Sequence, residues 1–248
     1  MKCMLHGLPK DVRAVIFDLD DTLVLSTVDY GKFKRLVIDK IVSHGEPRTM
    51  YDPKETVVSI VSRYESRMHE AGLPDEERKR RLAELDRIMD EVELERVSET
   101  KAIRGASELL ELLRNQGIKI GILTRGCQDY ATAALSEAGL MQLVDAIECR
   151  NSETKAKPNP ESYLRLIEQL RVRKEETFFV GDHPIDAKCA ANAGVPFVAV
   201  ETGDVSSDDL MAAGCVAMFP DVGSMVEWLK AILPIESKKC VSNLGDPH

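Results

Sequence analysis

Val12-Arg13-Ala14-Val15-Ile16-Phe17-Asp18-Leu19-Asp20-Asp21-Thr22 is the stretch that decides the fold. Residues 12–17 are a short apolar run that stops at Asp18. Its length and Val/Ile content suit a strand buried on both faces, the kind found in parallel sheets covered by helices. The polar Asp18-Leu19-Asp20-Asp21-Thr22 would then leave the carboxyl end of that strand.

Similar runs recur along the chain. Residues 118–123 lead into Thr124, residues 177–180 lead into Gly181 and Asp182, and residues 197–200 form a fourth run. Residues 144–147 and 216–219 are weaker strand candidates. Helix patterns lie between them. Residues 105–116 carry Leu109, Leu110, Leu112 and Leu113 and are followed by Gly117, while residues 127–138 end at Gly139 and residues 185–193 at Gly194. Glycine just past a helix is a natural stop. Asn159-Pro160-Glu161 reads as N-cap, first-turn proline and first-turn acid. Strand–helix alternation predicts an α/β fold, a doubly wound Rossmann-like parallel sheet with helices on both faces.

Residues 26–100 break that rhythm. Phe33, Leu36, Val37 and Ile41 repeat at helical spacing, as do Val57, Val61, Tyr64 and Met68, and then Leu82, Leu85, Met89 and Val92. The expected organisation is a core of residues 1–25 and 101–235, an inserted helical cap of residues 26–100, and a polar tail of residues 236–248. Linkers are expected near residues 25–27 and 99–105.

Composition narrows the function. The 248 residues carry a net charge of −9, with 44% hydrophobic residues. That is ample material for a core without staples. An acidic chain is poorly suited to sequence-independent nucleic-acid binding, which depends on Lys and Arg neutralising phosphates. Cys3, Cys127, Cys149, Cys189, Cys215 and Cys240 show no C-x-x-C spacing and read as free thiols. No apolar run approaches the ~18 residues of a membrane span, and residues 1–10 lack the apolar core of a signal peptide. The expectation is a cytoplasmic protein with no nucleic-acid or membrane partner; the oligomeric state stays open.

Ligands of open parallel sheets sit at the carboxyl ends of the strands. There the chain delivers Asp18, Asp20, Thr124, Arg125, Asp182 and Asp186, and Lys157 precedes a helix start. Several carboxylates in one small volume cannot all stay ionised without a cation. A hard divalent ion with oxygen ligands answers that need, and Mg²⁺ suits phosphate chemistry. With Lys157 such an ion would hold a phosphoryl group, and a carboxylate nucleophile forming an aspartyl phosphate is a known chemical route. If residue 19 continues the extended chain, Asp18 and Asp20 face the same site.

Order and spacing of these residues resemble the four motifs of the haloacid dehalogenase superfamily of phosphohydrolases. Asp18-Leu19-Asp20-Asp21-Thr22 matches D-x-D-x-T, and Thr124 matches the Thr or Ser that follows the second strand. Lys157, within Lys157-Pro158-Asn159-Pro160, matches the K-P-x-P lysine, and residues 181–186 match G-D-x-x-x-D. The helical insert is similar to the C1 cap of phosphoglycolate phosphatases. The resemblance implies a phosphatase acting on a small phosphorylated metabolite. It makes Asp18 the nucleophile, Asp20 the general acid and base, and Thr124 and Lys157 the phosphate ligands. It assigns Mg²⁺ to Asp18, the main-chain carbonyl of Asp20, and Asp182, with Asp186 in support. Lys155, two residues from Lys157, competes for the lysine role. Arg125 departs from the Asn that relatives often carry, and is expected to grip phosphate.

Each motif alone has a plainer reading: turns, caps and a surface lysine. Their conjunction in order is what favours chemistry. His183 reads as a loop histidine, Cys127 as an ordinary residue at a helix start, and Arg78-Lys79-Arg80-Arg81 as a solvated helix face. A phosphomutase using the same aspartyl phosphate, or a non-catalytic module on this fold, are the alternatives.

Overall fold

A computed structural model describes residues 7–233; the tail expected over residues 236–248, Cys3 and Cys240 lie outside the described residues. Six strands form one sheet in the order β5-β4-β1-β6-β7-β8, with every pairing parallel. They are β1 (Ala14–Phe17), β4 (Lys119–Leu123), β5 (Ala146–Glu148), β6 (Thr177–Gly181), β7 (Phe197–Val200) and β8 (Ala217–Phe219). A second, two-stranded antiparallel ribbon pairs β2 (Val24–Leu25) with β3 (Lys101–Ala102).

All four residues of β1 are fully buried. Val15 and Phe17 face one hydrophobic cluster, which draws on α4 (Ala106–Asn115), α5 (Gln128–Glu137) and α9 (Val226–Ile232). Ala14 and Ile16 face another, which draws on α6 (Pro160–Gln169), α7 (Pro184–Ala193) and α8 (Ser207–Ala212). Alternate residues of a strand point to opposite faces, so both faces of β1 must be apolar. Burying each large side chain contributes roughly 1.5–3 kcal/mol. This is the doubly wound arrangement expected. The sheet strands at its edges are short, which explains the weaker apolar signal of residues 144–147 and 216–219.

Helix ends follow the local chemistry. The Asn159 side chain accepts from the Glu161 N–H at 2.9 Å, and Pro160 opens α6. Gly117, Gly139 and Gly194 each follow a helix at positive φ. Between β2 and β3 run α1 (Tyr30–Ser43), α2 (Val57–Glu70) and α3 (Asp75–Leu94), which share a hydrophobic cluster of their own. Phe33, Val37, Ile41, Tyr64, Met68, Leu85, Met89 and Val92 are buried there, as the helical spacing predicts. Leu36, at 37% exposed, is not part of that cluster, and Val61 is half-buried; Ile38 and Ile60 take the central places instead.

Residues 25–27 and 99–105 are not plain linkers. The β2–β3 ribbon ties the two chain crossings together, and the Thr27 and Thr100 hydroxyls lie 3.4 Å apart. No helix among the described residues is long and apolar enough to cross a membrane.

Candidate active site

β1 lies between β4 and β6, so the loops that follow these three strands open side by side. Phe17 ends β1, and the Asp18 N–H donates to the Val180 carbonyl at 2.9 Å. The chain does not stay extended after Asp18. The Leu19 N–H turns back to Asp18 Oδ1 at 2.7 Å, and the Leu19 carbonyl accepts from the Leu23 and Val24 N–H groups at 2.9 and 3.1 Å. The tight turn continues through Asp21, at φ 52°, a conformation that Asp tolerates better than most residues. The Leu19 side chain is buried in the core, so Asp18 and Asp20 are still both left at the mouth of the site.

Carboxylate oxygens of Asp18, Asp182 and Asp186 come within 4.8 Å of one another. The Lys157 ammonium joins them at 2.7 Å from Asp18 Oδ1 and 2.7 Å from Asp186 Oδ1. It also sits 5.6 Å from the centre of the Phe179 ring. Lys157 is buried and Lys155 is exposed, which separates the two candidates for the lysine. Burial works against the Lys157 charge, but Asp18 and Asp186 outweigh it and raise its pKa above the ordinary lysine value.

The remaining carboxylate oxygens are not equivalent. Asp186 Oδ2 accepts from the His183 N–H at 3.2 Å, so both of its oxygens are engaged. Asp182 Oδ1 accepts from the Thr22 hydroxyl at 2.9 Å. Asp18 Oδ2 and Asp182 Oδ2 accept no hydrogen bond among the described residues. Burial first, then the neighbouring Asp18 charge, pushes the pKa of both Asp182 and Asp186 upward. Buried acids held together this way fit a divalent cation, whose charge would favour their ionised forms. Glycines leave the room that this needs. A Cβ on Gly203 would lie 2.1 Å from Asp182 Oδ2, and one on Gly181 would lie 2.5 Å from Asp186 Oδ2.

The Asp20 side chain stands apart from this trio and accepts a hydrogen bond from the Tyr130 hydroxyl of α5. Burial raises its pKa to about 7, against the opposing Tyr130 bond. A carboxyl group poised near neutrality can give and take a proton. Thr124 is buried after β4, and its hydroxyl accepts from the Gly126 N–H at 3.0 Å. Arg125 follows it, lines the same cavity, and makes no ion pair among the described residues.

His183 Nδ1 accepts from the Ile185 N–H at 3.1 Å and so caps α7. Cys127 caps α5, and burial pushes its thiol up to about 12, far from a reactive thiolate. Arg78, Lys79 and Arg80 pair with Asp75, Glu76, Glu77 and Glu84 along the surface of α3. Arg81 goes further and reaches inward to the Tyr64 hydroxyl at 3.4 Å.

One cluster beside the site carries no sequence motif. Arg150, in the loop after β5, pairs with Asp90 and Glu93 of α3. It also donates to the Arg125 carbonyl at 3.1 Å, and its own N–H reaches the Gly126 carbonyl at 3.0 Å. Glu93, buried, accepts from the Cys127 N–H at 2.9 Å. A carboxylate of the insert therefore caps a core helix beside Thr124. Between insert and core lies a cavity of about 840 Å³, open to Asp18, Asp20, Thr124, Arg125, Lys157 and Asp182.

A family model described as haloacid dehalogenase-like hydrolase matches residues 15–200. A phosphoglycolate phosphatase of Rhodospirillum rubrum is 28% identical over 219 residues, covering 88% of this chain and 90% of its own length. A pyrophosphatase of Halalkalibacterium halodurans is 29% identical over 202 residues, covering 75% of this chain and 81% of its own. The crystal structure of a hydrolase from Pseudomonas syringae superposes with a TM-score of 0.62 at 22% identity, over 89% of this chain and 99% of that one, a likeness of fold.

Proposed function

We propose that this chain, which belongs to the haloacid dehalogenase-like hydrolase family and is a phosphoric monoester hydrolase, releases phosphate from a small phosphorylated metabolite through a phospho-aspartate on Asp18, with Mg²⁺ as cofactor. The observation that carries the reading is the buried Lys157 ammonium between Asp18 and Asp186, with Asp182 completing the carboxylate trio. Asp18, the main-chain carbonyl of Asp20, and Asp182 would hold the ion, and Asp186 would fix Lys157. When bound, the ion supplies positive charge to the phosphoryl oxygens and lowers repulsion between them and Asp18.

The chain's own groups carry the remaining steps. Thr124, Arg125 and Lys157 hold the phosphoryl oxygens. Asp18 attacks phosphorus, and the P–O bond to the substrate alcohol breaks. Asp20, protonated near neutrality by its burial, gives its proton to the leaving oxygen. It then takes a proton from the water that attacks phosphorus, which breaks the bond to Asp18 and frees inorganic phosphate. Tyr130 holds the Asp20 carboxyl in place throughout. The insert acts as a cap that keeps bulk water from the acyl phosphate.

Phosphate release from a panel of phosphomonoesters tests this. Release that needs added Mg²⁺ and stops with EDTA is the expected result. Full turnover after exhaustive chelation contradicts the metal role. Isomerisation of a sugar phosphate without phosphate release would identify a phosphomutase instead.

A further inference from the structure

The phosphatase reading leaves the alcohol half of the substrate unnamed, and the cavity above Asp18 bears on it. About 840 Å³ is far more than a two-carbon acid fills; cavities for drug-sized ligands span roughly 300–1,000 Å³. The insert lines it with Phe33, Val57, Val58, Val61, Leu82 and Met89.

The charges around this wall are unbalanced. Lys34 is the one cation the insert gives to the cavity among the described residues, against Glu65 and against Asp86 and Glu93, which Arg150 of the core partly balances. On the core side, Arg150 is committed to Asp86, Asp90 and Glu93, and Lys157 to Asp18 and Asp186. Arg125 is free, but it adjoins Thr124, where the transferred phosphoryl group would sit. A carboxylate or second phosphate on the leaving group would lose its hydration against valines and face more acids than bases.

We propose that the substrate is a phosphate monoester of an uncharged alcohol with a substantial apolar face, bulkier than glycolate and without a second anionic group. This rests on the phosphatase reading above. It also sets the chain apart from its phosphoglycolate- and pyrophosphate-named relatives. Val61, half-buried in α2 and lining the cavity, is assigned as a specificity-determining residue.

Comparison of kcat/KM for 2-phenylethyl phosphate, phosphoglycolate and pyrophosphate tests the idea, with p-nitrophenyl phosphate as the general phosphatase probe. The ester of the uncharged aryl-alkyl alcohol should exceed both substrates that carry a second anionic group by at least about 10-fold, within the range that apolar contacts supply. Val61→Lys should narrow or reverse that ratio by placing a cation in the wall. If phosphoglycolate or pyrophosphate is the better substrate of the unaltered protein, the substrate class is wrong while the phosphatase reading stands. If none of the four, p-nitrophenyl phosphate included, releases phosphate, the phosphatase reading falls and takes this inference with it.

Discussion

Asp18 and Asp20 stand two positions apart, yet their surroundings divide them. Asp18 is held by Lys157 and its own loop through Oδ1, and its Oδ2 accepts no hydrogen bond among the described residues. Asp20 is turned toward Tyr130 and raised to about 7 by burial. The pattern D-x-D made both visible in sequence, but not the turn at Leu19 or the tyrosine that separates their environments. A single aromatic residue in an amphipathic helix carries no signal beyond its part in the core. Gly203 is equally silent in sequence, and its role is steric. Gly203→Ala would bring a methyl group to 2.1 Å from Asp182 Oδ2. Displacing that oxygen should weaken Mg²⁺ binding by about 10–100-fold, the usual range for groups that orient metal ligands. Titration calorimetry with Mg²⁺ measures this directly; unchanged affinity would remove Asp182 from the ion's ligands.

At the scale of elements, the strands that end in site residues were the most legible, because a buried strand must be apolar up to the residue that meets the ligand. The β2–β3 ribbon was not, since two residues per strand are too few to show a period. Nor was the contact from α3 to the loop holding Arg125, because Glu93 and Asp90 look like any other acids of a charged helix. Glu93 and Arg150 should matter more than their place in sequence implies. Arg150→Met strands three acids, Asp86, Asp90 and Glu93, and uncouples α3 from the Arg125 loop, so kcat/KM should drop by roughly 10²-fold, as small misplacements of reacting groups can cost. Solution scattering should show a more open cap in the variant. Wild-type kinetics with an unchanged scattering profile would mean that the contact is incidental.

The insert and the core should also part company in acid. Hydrogen bonds from Arg63, from Arg80 and Arg81, and from Lys40 and His44 hold Glu55, Glu77 and Glu84 respectively down to about 2. Folded values below the unfolded ones mean stability that is present above about pH 4.5 and lost as pH falls toward about 2. These pairs face solvent, so each contribution is modest and weakened by salt. The core has fewer such acids, Glu176 and Asp221, whose values are also lowered by their hydrogen bonds, while Asp20, Asp182 and Asp186 have raised values and gain protons without loss in acid. Helical signal should therefore fall at a higher pH than the fluorescence of Trp228, the single tryptophan, which packs against Phe178 and Phe219 in the core. Coincident transitions would show that insert and core unfold as one unit.

For the whole molecule, the parallel sheet brings three strand ends together, and the insert between β2 and β3 covers them. The sheet and its six strands were readable from apolar runs and glycine stops; the cavity was not, because it depends on how insert and core face each other. We propose that this arrangement makes Asp18 a nucleophile and Asp20 its proton partner. It is tested most directly by rapid-quench mass spectrometry of Asp20→Asn after mixing with p-nitrophenyl phosphate and Mg²⁺. That leaving group needs little protonation, whereas the water that follows does need a base, worth roughly 10²–10⁴-fold. A single phosphate adduct that accumulates and maps to Asp18 is the expected result, with no adduct in Asp18→Asn. An adduct on any other residue, or wild-type turnover by Asp18→Asn, would contradict it.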